Sequence, residues 1–147
     1  MLDLTGCPTK TFDFEEEWVQ DMIDEDNFWN KIVKYDLEGA LLSASTPGED
    51  RWTETGGPEQ TGGLVPGHAY TVIAAKEAYG NRLMNIRNPW GSFEWEGDWS
   101  DESYLWNSAM KEALQPSLDA NDGTFWMSYD DFLKNYKCLN VCMVKNF

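Results

Sequence analysis

The chain is poor in positive charge, cysteine and histidine and has no long apolar run, and each shortage removes a class of function. Eleven Lys and Arg stand against 26 Asp and Glu, a net charge of −15. With no basic stripe among them, such a surface repels nucleic acid and anionic lipid and attracts calcium or a basic partner. No stretch approaches the roughly 20 apolar residues of a transmembrane helix, and nothing near Met1 has the build of a signal peptide. The three cysteines, Cys7, Cys138 and Cys142, are odd in number and lack metal-ligand spacing, so a reducing, cytoplasmic setting is the expectation. Cys138 and Cys142 flank Leu139 to Val141 in an apolar run and read as core residues.

What the chain has in plenty is aromatic surface: eight Trp, seven Phe and six Tyr in 147 residues. That is enough to bury the core of one ordinary domain, and it excludes a disordered acidic segment. From Asp13 to Asp36, Trp18, Met22, Phe28, Trp29, Ile32 and Val33 recur at threes and fours, which predicts a helix stopped by Gly39. Ala40 to Ser45 reads as a short strand, and residues 46–63, rich in Gly, Pro, Glu and Thr, as a surface loop. Beyond Leu64-Val65-Pro66-Gly67-His68, the run Ala69 to Ala75 reads as a buried strand. Tyr79-Gly80-Asn81 then turns the chain, and the alternation from Leu83 to Asn88 returns it as a hairpin. Ser108 to Leu114 reads as a short helix, residues 119–123 as a turn and Phe125 to Met127 as a strand. Ser128 with Asp131 opens a helix to about Tyr136, whose negative end suits Lys134 and Lys137; Leu139 to Val144 closes as a strand. The fold class expected is α+β, mainly antiparallel β-sheet with short flanking helices.

His68 is the only histidine. A lone histidine is most often an ordinary surface or core residue, but this one sits at a junction between a loop and an apolar strand. Antiparallel neighbours bring their ends together, so His68, just ahead of the outgoing strand, is expected beside Asn88 at the end of the returning one. An imidazole acting as a general base needs one nitrogen turned to a nucleophile and the other held by an acceptor. The side-chain carbonyl of an asparagine supplies such an acceptor.

Gly67-His68-Ala69-Tyr70 and Arg87-Asn88-Pro89-Trp90-Gly91 resemble the papain-like cysteine proteases and, within them, the calpains. Asp3-Leu4-Thr5-Gly6, Glu94-Trp95, Gly97, Trp99 with Asp101, Trp106-Asn107, Asp122-Gly123 and Phe125-Trp126-Met127-Ser128 extend the likeness over nearly the whole chain. The resemblance implies that residues 1–147 are a papain-like half, the second subdomain of a calpain protease core. It implies that His68 is the general base, that Asn88 orients it, and that Trp90 covers their contact. Pro66 and Gly67 would border the substrate cleft, at the end of a loop from Thr55 that gates it. Calpains bind calcium in each core subdomain, and the matching positions are the carboxylates of Glu94, Asp101 and Asp122 with the carbonyl of Ala120. Thr124 departs from the family, which usually has a glutamate there; the change removes a negative ligand.

One part of the resemblance is missing. Calpains carry the nucleophilic cysteine in an earlier subdomain, in a Gln-Gly-Xaa-Xaa-Gly-Asp-Cys-Trp setting that this sequence lacks, and Cys7, in Gly6-Cys7-Pro8, does not replace it. The expectation is therefore a piece of a calcium-dependent endopeptidase acting on protein substrates, inactive without the cysteine-bearing subdomain of the same full-length chain. The competing expectation is a non-catalytic calcium-binding or interaction module of a calpain-like pseudoprotease. Intact His68, Asn88 and Trp90 speak against it.

Overall fold

The computed structural model describes residues 9–48, 64, 67–88, 95–116 and 123–143. Within them the chain runs β1 (Thr9–Asp13), α1 (Glu17–Asp24), α2 (Phe28–Leu37), β2 (Leu41–Ser45), β3 (Ala69–Ala78), β4 (Asn81–Arg87), α3 (Ser108–Leu114), β5 (Thr124–Ser128), α4 (Tyr129–Asn135) and β6 (Cys138–Cys142). The described strands form one six-stranded sheet in the order β1-β6-β2-β3-β4-β5, every neighbouring pair antiparallel. The fold is α+β and dominated by antiparallel sheet, as the sequence predicts.

Alternation along the strands gives the sheet two apolar faces. On one, Phe12, Tyr70, Ile86, Phe125 and Leu139 pack with Phe28, Ile32 and Phe132 of the helices. On the other, Leu83 and Trp126 meet Trp99, Trp106 and Met110 of the segment that crosses behind the sheet. Trp126 and Leu83 lie one residue out of phase with Phe125 and Met84, so a single pair of adjacent strands feeds both cores.

Two differences from the sequence reading have local causes. The predicted helix from Asp13 to Asp36 is two helices, because the backbone turns left-handed at Asp26, φ 61°, a conformation that aspartate tolerates better than most residues. Its carboxylate is taken by Arg82 of β4 at 2.5 and 2.9 Å, a tertiary contact that periodicity cannot report. β1 is the other addition; only Phe12 of it is fully buried, so this edge strand carries almost no alternation. The predicted hairpin turn is present, with Tyr79 at φ 50° and Gly80 at φ 80°, both positive as a two-residue hairpin turn requires. Ser128 caps α4 by accepting from the Asp131 amide at 3.0 Å. Cys138 is a buried free thiol. Cys142, read as core, is disulfide-bonded and only half-buried, since the strand alternation turns it away from the side of Leu139 and Val141.

Candidate active site

His68 stands one residue ahead of β3 and Asn88 one residue beyond β4, at the same end of a directly paired hairpin whose last registered pair is Thr71 with Arg87. A bulge between Val72 and Ala74 adds one residue to β3 below this end, a device that bends and twists a strand and re-aims the side chains beyond it. The His68 ring reaches Asn88 across the strands, with Nε2 3.0 Å from Asn88 Oδ1. A carbonyl oxygen only accepts, so Nε2 carries the proton of this bond and donates it. In the neutral ring the basic lone pair then belongs to Nδ1.

Each partner is held by the fold. Asn88 is fully buried, and its own amide donates to the Gly123 carbonyl at 2.9 Å, tying the end of β4 to the start of β5. Burial removes competing water from the Asn88 carbonyl, so the bond to the imidazole acts in a lower dielectric than it would at the surface. The His68 ring meets Tyr70, two residues on along the same side of β3, edge to face with centroids 5.2 Å apart. Tyr70 is itself wedged between Phe125 and Tyr136. A rigid aromatic platform therefore supports the imidazole from below.

Of the predicted cleft residues, Gly67 lies beside His68 with φ 63°, in the left-handed region that favours glycine, and donates to the Pro47 carbonyl at 3.1 Å. Pro66 lies outside the described residues, as does Trp90, so the covering role predicted for that indole has no geometry to set beside it. The predicted calcium ligands Glu94, Ala120 and Asp122 also lie outside. Asp101 is described. It sits half-buried in a turn where Ser100 donates to Gly97 and Ser103 donates to Ser100 at 3.1 and 3.0 Å. The four predicted ligands offer oxygen alone, three carboxylates and one carbonyl, a donor chemistry that suits a hard cation such as calcium. Among the described residues no three His, Cys, Asp or Glu side chains converge on one point.

The segment carrying Asp101 is rigidified by tryptophan. Trp95 Nε1 donates to the Asp98 carbonyl at 2.9 Å, and Trp106 Nε1 is shared between the Trp99 and Ser100 carbonyls at 3.0 Å each. Trp99 is held at φ 73°, rare for so bulky a residue. The sequence reading missed one group next to His68. Thr46, read as the first residue of a polar loop, is buried and bonded to the His68 backbone; the only signal for it was its position before Pro47.

Residues 1–143 match the family described as calpain family cysteine protease. The chain is 36% identical over 146 residues to the calpain-type cysteine protease DEK1 of Arabidopsis thaliana, covering 98% of this chain and 6% of that protein. It is 31% identical over 147 residues to calpain-14 of Homo sapiens, covering 97% of this chain and 19% of that protein. Over 84 residues it is 46% identical to the calpain-1 catalytic subunit of Mus musculus, 54% of this chain and 12% of that protein. The chain thus spans a minor part of the length of each of these relatives.

Proposed function

The chain belongs to the calpain family of cysteine proteases, and from that premise we propose that residues 1–147 are the base-bearing half of a calpain-type proteolytic core. A cysteine-bearing subdomain elsewhere in the full-length protein completes it. The observation that carries this reading is the 3.0 Å bond from His68 Nε2 to the buried Asn88 carbonyl, at the open end of one hairpin. With Nε2 committed to Asn88, Nδ1 is the nitrogen that takes the proton of the partner subdomain's thiol. The thiolate attacks the peptide carbonyl carbon, and the imidazolium returns its proton to the leaving amine as the carbon–nitrogen bond breaks. The same reading gives Trp90 the role of shielding the His68–Asn88 bond from water. Without a cysteine in the required setting the chain by itself cuts nothing.

The same reading assigns calcium to Glu94, Asp101, Asp122 and the Ala120 carbonyl. Bound there, calcium would neutralise carboxylates that otherwise repel one another and tie together the two loops that carry them. Thr124 in place of a glutamate makes the site weaker than in relatives that have the acid.

The test is to join the chain to the cysteine-bearing subdomain of its full-length protein and follow cleavage of casein. Calcium-dependent cleavage is expected, reduced on the order of a hundred- to ten-thousandfold by His68→Ala, the usual contribution of acid–base assistance. If the joined core is inert and His68→Ala is indistinguishable from it while calcium still raises the melting temperature, the chain is a calcium-binding module and the catalytic reading falls.

A further inference from the structure

We propose that Thr46 is a positioning residue for the catalytic imidazole, a role that rests on the reading of His68 as the base. The β2–β3 ladder ends at the pair Ser45 and Ala69, one step short of His68. In a regular antiparallel ladder the next pair, Thr46 with His68, would exchange two backbone bonds. Only half of that exchange is made by the backbone: the Thr46 amide donates to the His68 carbonyl at 3.0 Å. The other half is made by a side chain, since the His68 amide donates to Thr46 Oγ1 at 2.9 Å. The same hydroxyl donates back to the His68 carbonyl at 3.3 Å. One buried hydroxyl, 3% exposed as a residue, thus both accepts from and donates to the peptide groups of the histidine.

The reason for this substitution of side chain for backbone lies one residue on. Pro47 restricts the conformation of the residue before it, and the Pro47 carbonyl accepts from Gly67, so the two chains continue to pair as they leave the sheet. The threonine hydroxyl bridges the irregular step. It keeps the His68 amide satisfied while the backbone departs from ladder geometry. His68 lies outside β3 and follows a glycine with positive φ, so the backbone from which its ring is aimed is held at the irregular end of the ladder, by Thr46 and by the adjoining bond from Gly67 to Pro47. The ring is anchored from the β4 side by Asn88 and the backbone from the β2 side by Thr46. A hydrogen bond weakens steeply when its geometry slips; release of the backbone at one anchor therefore loosens the bond at the other.

Because His68 is the only histidine, its ring N–H gives an unambiguous signal in the nitrogen-labelled chain. The Nε2–H proton, held by Asn88, is expected to exchange slowly with water, and Asn88→Ala, which removes the acceptor, calibrates the signal. Thr46→Val, close in shape but without the hydroxyl, is expected to speed that exchange on the order of tenfold, and Thr46→Ser, which keeps the hydroxyl, to restore it. In the unaltered chain the His68 amide itself is expected to be protected from exchange, a measurement independent of whether any variant folds. In the joined protease Thr46→Val lowers kcat more than it raises KM. An unprotected His68 amide in the unaltered chain overturns the proposal. So does a folded Thr46→Val whose ring N–H exchanges as in the wild type, or a Thr46→Ser no better than Thr46→Val. If the joined protease is inert, the ring measurement still decides the role of Thr46, so the two readings fail separately.

Discussion

The asparagine at position 88 is the residue on which the chemistry turns, because it converts a surface imidazole into an oriented one. Its side chain is buried and its backbone N–H is held by the Gly123 carbonyl, so the backbone from which the carboxamide reaches His68 is fixed. Asn88→Ala leaves a ring N–H without its acceptor, a loss of about 1–3 kcal/mol for a buried polar group. The expected fall in kcat/KM of the joined protease is about ten- to a hundredfold, smaller than for His68→Ala, with the fold retained. Tyr129 offers a second test at this scale. Burial, opposed in part by the Arg82 charge, pushes its phenol from 10.0 up to about 12. A folded-state value above the unfolded one means that the contribution is complete below pH 10 and is lost as pH rises to about 12. Tyr129→Phe should therefore flatten the alkaline fall in the urea midpoint. Tyr136, whose hydroxyl is also raised by burial, keeps a residual slope in the variant.

Among the elements, the turn from α1 to α2 and the tryptophan-rich segment before α3 show how side chains stand in for regular structure. The turn is pinned to β4 by Asp26 and Arg82, and the Arg82 guanidinium lies over the Trp29 ring at 5.7 Å, joining the loop, α2 and the sheet. The hydrogen bond from Arg82 holds the Asp26 carboxyl below its ordinary value of 3.8. A depressed folded-state value makes the stabilisation present above the unfolded pKa and lost as pH falls through the lowered one. Asp26→Asn, which keeps the tolerance for positive φ, should lower the urea midpoint at neutral pH, and the gap to the wild type should close in acid. In the tryptophan segment, a Cβ added at Gly97 would lie 2.2 Å from Trp95 Cζ2, on a ring fixed by its bond to Asp98. Gly97→Ala should cost about 1–3 kcal/mol, as overpacking of an ordered core does. Differential scanning calorimetry reads that as a melting temperature lower by several degrees.

At the scale of the molecule the dominant quantity is the net charge of −15, which strains any compact state by self-repulsion. Salt should raise the melting temperature by screening it, over a Debye length of about 10 Å at 0.1 M. If Asp101 belongs to a calcium site, calcium raises it beyond sodium chloride of equal ionic strength, and Asp101→Asn removes the excess. The hairpin of β3 and β4 was legible from the sequence because its signals are local: alternation in each strand, Tyr79-Gly80 between them, and His68 and Asn88 at matching ends. The same locality made α3 readable from Ser108 and α4 from Ser128 onwards, while the Asn107 side chain that caps α3 was seen only in the structure. The order of the six strands, the break at Asp26, the edge strand β1 and the buried bond from Thr46 were not legible. Each is decided by partners far along the chain, Arg82 for Asp26, β6 for β1 and His68 for Thr46, and a side chain cannot announce a partner that only folding brings near it. What the sequence alone determined is which residues could do proton-transfer chemistry and which strands would carry them. Tertiary structure decided that the imidazole meets a carboxamide whose surroundings exclude water, because burial and hydrogen-bond geometry are properties of the packed whole.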